Sequence, residues 1–468
     1  AGNSQPADDS AADTGPRAAK MTRSTQTKVK PIAQFDTWPE SYSDASAEAT
    51  ITAVARDIAR QRPDVETPFY IINLDDIRYK LRLWKELLPR IRPHYAVKCN
   101  MNVGILGVLR HHGLGFDCAT RNEIDLVLSL GGSPEQIVYA HTVKSPSYLR
   151  FARHHIISRM TFDNFAELDK IKQIYPEADL ILRLRVVDSD IYNISEKFGC
   201  LNEEVPALLQ KAKQLSLKIT GFSFHVGCQN QDPQKYRQAL QLCKRAEQEA
   251  IKLGYAPKLI DIGGGFQGYR GEEGSFRKIA TAIREEADTL FPLGAGYELI
   301  SEPGTYMVGS ALTLVCRIVG KRDFKDMTHL YVSDSVYMSF LPALYGDYYL
   351  RIQPLLSSTI YDDKSSGEGL VPTRIYGMTC DGVDVIVKKW NLPPLEVGEW
   401  LMFYNQGAYT EAIETNFNML ERPTRYYRSS DPMDVDVARK TLTSYVRDQK
   451  AVKEQSSDFN SSQSGNGI

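Results

Sequence analysis

Short runs rich in β-branched and aromatic residues alternate along the middle of the chain with segments whose apolar residues recur at helical spacing. The runs are Tyr95–Lys98 (YAVK), Phe116–Thr120 (FDCAT), Ile137–His141 (IVYAH), Met160–Asn164 (MTFDN), Ile181–Val186 (ILRLRV), Gly221–Gly227 (GFSFHVG), Leu259–Phe266 (LIDIGGGF) and Tyr297–Gly304 (YELISEPG). Between them, Asn122–Leu130 and Lys144–His155 carry the helical period. Eight strand–helix repeats predict an α/β fold, a (β/α)8 barrel; a doubly wound open sheet shares the rhythm. From about Ala311 to Tyr445 the character changes. Ala311–Val319, His329–Val336, Thr373–Met378 and Trp400–Phe403 read as strands separated by turn signals, which predicts a C-terminal β domain over 311–450. Phe69–Asn73 (FYIIN) is expected to open the barrel, within 66–310, and residues 34–65 to pack on the β domain. Residues 1–33 and 451–468 hold few large apolar side chains and cannot offset the entropy of ordering, so both are expected to be disordered.

Composition narrows the class. Hydrophobic residues at 42% and charged residues at 24% place this 468-residue chain among globular proteins, not fibrous or mainly disordered ones. A formal net charge of −2, with no long basic run, gives no general attraction for nucleic acid or an anionic membrane. No apolar stretch reaches the ~18 residues of a membrane span. The seven cysteines, Cys99, Cys118, Cys200, Cys228, Cys243, Cys316 and Cys380, stand singly with no CxxC pair. That argues against a structural metal site and for a reducing compartment. The first residues lack the apolar core of a secretory signal, so a cytoplasmic location is expected.

In a (β/α)8 barrel the side chains at the C-terminal ends of the strands form the active site. Here those ends carry Lys98, Asp117, His141, Asp163, Arg183, His225, Gly263–Gly265 and Glu302. Such convergence points to an enzyme. Lys98 ends an apolar strand; a lysine withdrawn from water has a lowered pKa and suits Schiff-base chemistry, while a plain surface lysine reads the same way. Gly263-Gly264-Gly265 lets backbone N–H groups approach a phosphate, or simply makes a tight turn. Glu302 in SEPG suits a partner for a heterocyclic nitrogen, or an acid at a helix start. His225 suits stacking on an aromatic cofactor, or a structural role. Cys380-Asp381-Gly382 reads as a turn or as a thiol beside a charge, and Tyr409 as a phosphate contact or a core residue.

Taken together, YAVKCN, FDCAT, EKFG, FHVG, DIGGGF, SEPG, CDG and GAYT follow one order from about residue 35 to 445. In that order the chain resembles the eukaryotic ornithine decarboxylase family, enzymes that use pyridoxal 5'-phosphate (PLP) on an alanine-racemase-type barrel. The resemblance implies a small-molecule amino-acid substrate and a head-to-tail homodimer with two shared active sites. It makes Lys98 the Schiff-base lysine, Glu302 the partner of the pyridine nitrogen and His225 the residue stacked on the ring. Asp117 and Arg183 match cofactor-lining positions, and Gly263, Gly264, Gly265 and Tyr409 match the phosphate cradle. Cys380, from the other subunit, matches the residue that reprotonates the α-carbon, and Asp381 the one that contacts ornithine's distal amine. Tyr345, Gly346 and Phe417 fall at substrate-binding positions, and Lys197 on a mobile loop.

Three departures qualify the resemblance. Thr305 stands where the family has a phosphate-binding Arg, and Cys228 where it has Ser. Losing an Arg–phosphate pair removes on the order of 1.5–3 kcal/mol. Gly346 replaces the acid that pairs with Asp381 on the distal ammonium, with Asp347 beside it. Less charge and more room suit a bulkier substrate, such as an aminocarboxypropyl amino acid of the fungal alkaloid (loline-type) pathways. The other readings are an ordinary ornithine or lysine decarboxylase of polyamine synthesis, a non-catalytic protein like the antizyme inhibitors, and a racemase on the related fold.

Overall fold

The computed structural model describes residues 33–37, 47–186, 194–228, 230–345 and 349–463. After β1 (Ala33–Thr37) and β2 (Phe69–Asn73) come eight strands: β3 (Ile91–Ala96), β4 (Gly115–Cys118), β5 (Ile137–Tyr139), β6 (Arg159–Phe162), β7 (Asp179–Arg183), β8 (Lys218–Ser223), β9 (Leu259–Asp261) and β10 (Glu298–Ser301). They close into a barrel in the order β10-β3-β4-β5-β6-β7-β8-β9. All neighbours are parallel, and Leu299 beside Ile91 completes the ring. The helices between the strands cover the outside with apolar faces that join one large core.

Strand periodicity sets what fills the barrel. Val138, Ile181, Leu259 and Ile300 form a separate buried cluster inside it. Two residues further along the same faces stand Ala140, Arg183, Asp261 and Glu302. An apolar floor therefore lies directly under a charged layer. Several strands end earlier than the β-rich runs of the sequence suggest. β3 stops at Ala96, with Lys98 in the 3-10 turn Val97–Cys99, and β8 stops at Ser223, so His225 stands in the loop beyond it. The polar and glycine residues read as strand ends belong to loops that the strands aim.

The remaining strands, β11 (Leu312–Phe324), β12 (Met327–Val332), β13 (Arg351–Pro354), β14 (Val371–Tyr376), β15 (Val385–Leu392), β16 (Trp400–Tyr404) and β17 (Thr424–Ser429), form a sheet with β1 and β2. Here the expectation for Phe69–Asn73 fails. β2 does not open the barrel; it lies between β17, parallel, and β11, antiparallel. The reason is its two apolar faces. Phe69 and Ile71 pack with Ile51, Val54 and Ile58 of the helix Ala47–Arg60, while Tyr70 and Ile72 join the main core. An apolar run buried on both sides looks like a barrel strand but serves a sheet covered on both faces. Arg56 of the same helix donates from Nε to the Leu355 carbonyl at 2.7 Å.

The end of the chain also differs from expectation. A helix runs Pro432–Gln463, through most of the segment expected to be disordered. Once a helix is nucleated each further residue adds a hydrogen bond at little cost, and AVKEQ continues it. Its earlier part packs on the helix Val103–His111, where Gly107 lets Thr441 approach; a Cβ on Gly107 would lie 2.4 Å from Thr441 Oγ1. Among the described residues no helix is long and apolar enough to cross a membrane, and the seven cysteines are free. The expectation for residues 1–33 falls, apart from Ala33, outside the described residues.

Candidate active site

A pocket of about 410 Å3 opens at the C-terminal mouth of the barrel, lined by Lys98, Asp117, His225, Cys228, Gly264, Gly265, Glu302, Thr305 and Tyr409 among others. β3 and β4 lie side by side, so the turn after β3 delivers Lys98 to Asp117. Lys98 Nζ donates a hydrogen bond to Asp117 Oδ2, and Asp117 is fully buried. Desolvation alone would lower the lysine pKa, as expected from the sequence. Burial does push it down, but the charges of Asp117, Tyr409 and Glu302 outweigh burial, and the ammonium is stabilised. The nonlocal anions decide the sign.

The glycine loop after β9 is held from behind. The Gly263 carbonyl accepts from Glu302 N at 2.8 Å and from Ser301 Oγ at 2.7 Å. Gly264 O accepts from Tyr236 Oη at 2.9 Å, and Gly265 O from Asn230 N at 2.8 Å. With these carbonyls engaged, Gly264 and Gly265 line the pocket as bare backbone. Gly265 has φ of +100°, which a side chain rarely adopts. A Cβ on Gly264 would sit 2.7 Å from the Glu302 carbonyl oxygen and 3.2 Å from His225 Nε2. Gly263 stands behind the lining, and its N–H donates to Asp261 Oδ1 at 2.9 Å.

Glu302 brings a carboxyl to the pocket whose Oε1 accepts from no donor among the described residues. Burial, then Asp261 and Asp117, holds its pKa well above the usual carboxylate range. His225 is half-buried and neutral: burial, then Arg183 and Lys98, hold its pKa down to about 3. Its Nδ1 accepts from Gly227 N at 3.1 Å, which leaves the proton on Nε2. Tyr409 has φ of +54° and donates its backbone N–H to Cys99 O at 2.9 Å, so a strained backbone aims it at the pocket. One pocket thus joins an amine, a flat imidazole, a buried carboxyl with an open acceptor and a backbone cradle. These groups fit a flat heteroaromatic aldehyde bearing a phosphate, and their donor set suits PLP. Among the described residues no cluster of His, Cys, Asp and Glu could hold a metal ion.

Other residues singled out from the sequence lie elsewhere. Arg183 does not line the pocket; its guanidinium lies over the Phe198 ring at 5.2 Å and acts on His225 by charge. Lys197 stands 5.1 Å from the same ring centroid, and His141 meets Phe198 edge-on. Asp163 accepts from Gly199 N at 2.8 Å, which ties down the loop carrying Phe198. A second cluster forms on the sheet side. Cys380 is exposed, 3.9 Å from Asn418 Nδ2. Asp381 accepts from Tyr337 Oη at 2.5 Å and from Val383 N at 3.1 Å, and these bonds lower its pKa. Tyr337 packs on Phe417 with ring centroids 4.5 Å apart. Tyr345 is exposed, and Gly346 and Asp347 lie outside the described residues. None of Cys380, Asp381, Phe417 or Tyr345 lines the pocket around Lys98.

Two residues escaped the sequence reading. Tyr337 reads as an ordinary strand-end aromatic, and nothing local links it to Asp381. Asp261 stood in view in DIGGGF; an acid at an inward position of a strand with no room for water was the signal.

Comparison with known proteins matches this geometry. The pyridoxal-dependent decarboxylase family, pyridoxal binding domain, matches residues 74–309. Ornithine decarboxylase of Mus pahari is 38% identical over 400 residues, covering 81% of this chain and 86% of that protein. Antizyme inhibitor 2 of Xenopus laevis is 36% identical over 372 residues, covering 77% and 80%. The crystal structure of the Paramecium bursaria Chlorella virus arginine decarboxylase superposes with a TM-score of 0.75 at 34% identity, covering 80% of this chain and 100% of that one. The barrel, the pocket at its mouth and these matches agree, and the chain belongs to the ornithine decarboxylase family of PLP-dependent amino-acid decarboxylases.

Proposed function

We propose that the protein releases carbon dioxide from an L-amino acid bulkier than ornithine, or ending differently, in a homodimer whose active sites take residues from both subunits. The observation that carries this reading is the division of the machinery. Lys98, His225, Glu302 and the glycine cradle share one pocket, while Cys380 and Phe417 are exposed, Asp381 is half-buried, and none of the three lines that pocket. A second copy of the chain, turned head to tail, brings the exposed group over the pocket.

PLP, when bound, supplies an electron sink for the pair left on the α-carbon as carbon dioxide departs. Lys98 would hold its aldehyde carbon, and Asp117 keeps that amine oriented and charged until then. Glu302 would hold the ring nitrogen, His225 would cover one ring face, and Gly264, Gly265, Thr305 and Tyr409 would bind the phosphate. Arg183 biases the site electrostatically from beside Phe198. Cys380 of one subunit delivers a proton to the α-carbon in the other. Asp381, fixed by Tyr337, receives the cationic end of the substrate side chain. With Gly346 contributing no carboxylate, the distal site holds less negative charge and more space.

Carbon dioxide release by the purified protein with added PLP tests the reading. The panel is ornithine, lysine, arginine, diaminopimelate and an aminocarboxypropyl-proline. Release from a bulkier member in preference to ornithine is expected. Strong release from ornithine alone would make this an ordinary ornithine decarboxylase and remove the role given to Gly346.

A further inference from the structure

The two loops proposed to bind the phosphate are gripped from behind by one helix. That helix, Leu74–Leu87, lies between β2 and β3, and its Asp76 and Lys80, four residues apart, share one face. Both side chains are buried, and each holds both loops. Asp76 accepts from Arg270 Nη2 at 3.1 Å, on the loop after the glycines, and from Ser310 Oγ at 2.6 Å, just beyond the turn Thr305–Val308. Lys80 Nζ donates to the Gly268 carbonyl at 2.8 Å, and the Lys80 carbonyl accepts from Tyr306 Oη at 3.1 Å. The same Nζ lies 5.3 Å from the centroid of the Tyr306 ring.

The loops also meet each other. Gly268 packs on the Thr305–Tyr306 peptide, and a Cβ on Gly268 would collide with the Thr305 carbonyl oxygen. Lys80 therefore sits where the backs of both loops converge, while their fronts offer Gly264, Gly265, Gly304 and Thr305 to the pocket. Among the described residues that line the pocket, no Lys or Arg other than Lys98 is present. A phosphate held without a side-chain cation of its own depends on backbone N–H groups and hydroxyls, whose bonds weaken steeply once distance or angle is lost. The spacing of the two loops then decides how well it is held. Burial lowers the Lys80 pKa, while the charges of Asp76 and Glu273 favour the ammonium.

We infer that Lys80 is a positioning residue for the cofactor's phosphate: from the outer helix it fixes the glycine loop and the Thr305 turn at the spacing the phosphate needs. Its grip is directional, since it donates to one loop and lies against a ring of the other. An apolar side chain of similar length would fill the space but leave the Gly268 carbonyl without this donor. The inference rests on the reading of the pocket as a PLP site. It adds to that site a residue that does not line it.

Titration of PLP, and of pyridoxal, which lacks the phosphate, into protein stripped of cofactor separates the phosphate's share of the affinity from the rest. The ratio of the two Kd values measures that share. In Lys80→Met the ratio is expected to fall roughly tenfold, through weaker PLP binding with pyridoxal binding unchanged. Lys80→Arg keeps a cationic donor and is expected to keep most of the ratio. Tyr306→Phe removes only the bond to the Lys80 carbonyl; it replaces Lys80→Met if that variant does not fold, with a smaller fall in the same direction expected. An unchanged ratio, or equal losses for PLP and pyridoxal, overturns the role of Lys80, because the helix then supports the fold and nothing more. Equal Kd values for the two compounds in wild type would instead overturn the phosphate cradle itself, and the role of Lys80 with it.

Discussion

Acidification tests the barrel interior through His94. This imidazole points inward from β3 and is fully buried, with Nδ1 3.4 Å from the Arg92 carbonyl and Nε2 unpartnered among the described residues. Gly115 makes room for it: a Cβ there would lie 2.2 Å from His94 Cδ2. Burial lowers its pKa from 6.5 to about 3. The unfolded chain therefore binds a proton that the native chain refuses. The neutral histidine's contribution is intact above the unfolded value and is lost as pH falls toward the folded one. Linkage makes the loss about 0.8 kcal/mol near pH 6 and about 2 kcal/mol near pH 5. Setting the folded pKa a full unit higher barely changes the figure near pH 5, because the unfolded side dominates. Urea unfolding of wild type and His94→Gln at about pH 7 and about pH 5 isolates this contribution, since every other titrating group is common to both. Wild type is expected to lose about 2 kcal/mol more than the variant over that interval. Equal losses would mean that water reaches the imidazole and that the barrel interior is not dry. His225 shifts in the same direction but lines the pocket, so solvent screens it and its contribution is smaller.

Three further substitutions probe the site. Gly264→Ala places a Cβ against the Glu302 carbonyl and His225, a strain of about 1–3 kcal/mol, so PLP should bind roughly tenfold to hundredfold more weakly in a fluorescence titration; an unchanged Kd would remove the cradle from the site. Cys380→Ala should leave PLP binding intact and slow amine formation, read by product analysis; an unaltered rate and product would end its assignment as the proton donor. Tyr337→Phe takes away the hydrogen bond that most lowers the Asp381 pKa, so KM should rise with kcat little changed, and the acid limb of kcat/KM should move to higher pH. If kcat alone falls, Asp381 acts on the chemistry and not on the side-chain end of the substrate.

How far the sequence foretold this site follows from what is local in each case. The barrel strands were legible because short β-rich runs alternate with segments of helical period, and their ends carried the chemistry-bearing residues. Phe69–Asn73 was not, because a run apolar on both faces satisfies a barrel and a covered sheet equally. The pairing of Tyr337 with Asp381 spans 44 positions and leaves no local trace. The sign of the Lys98 shift was missed for the same reason: withdrawal from water can be read from YAVK, but Asp117 arrives only through the pairing of β3 with β4.

Opposite charges explain how so many ionisable side chains can share the mouth of the barrel. Asp117 and Asp261 are fully buried, and with the half-buried Glu302 they face Lys98 and Arg183, which solvent reaches in part. Three fully ionised acids against two cations would leave one charge uncompensated, and the pKa of Glu302 is raised accordingly, by burial first and then by Asp261 and Asp117. The same arithmetic makes each member hard to replace alone: removing Asp117 leaves the Lys98 ammonium without its nearest anion, and removing Lys98 leaves Asp117 without its cation. A paired replacement, Lys98→Met with Asp117→Asn, should therefore restore stability lost in either single variant while leaving cofactor attachment abolished. Chemical denaturation of the four proteins of that cycle reads the coupling directly. If the double variant is no more stable than the worse single one, balance of charge is not what holds the layer together.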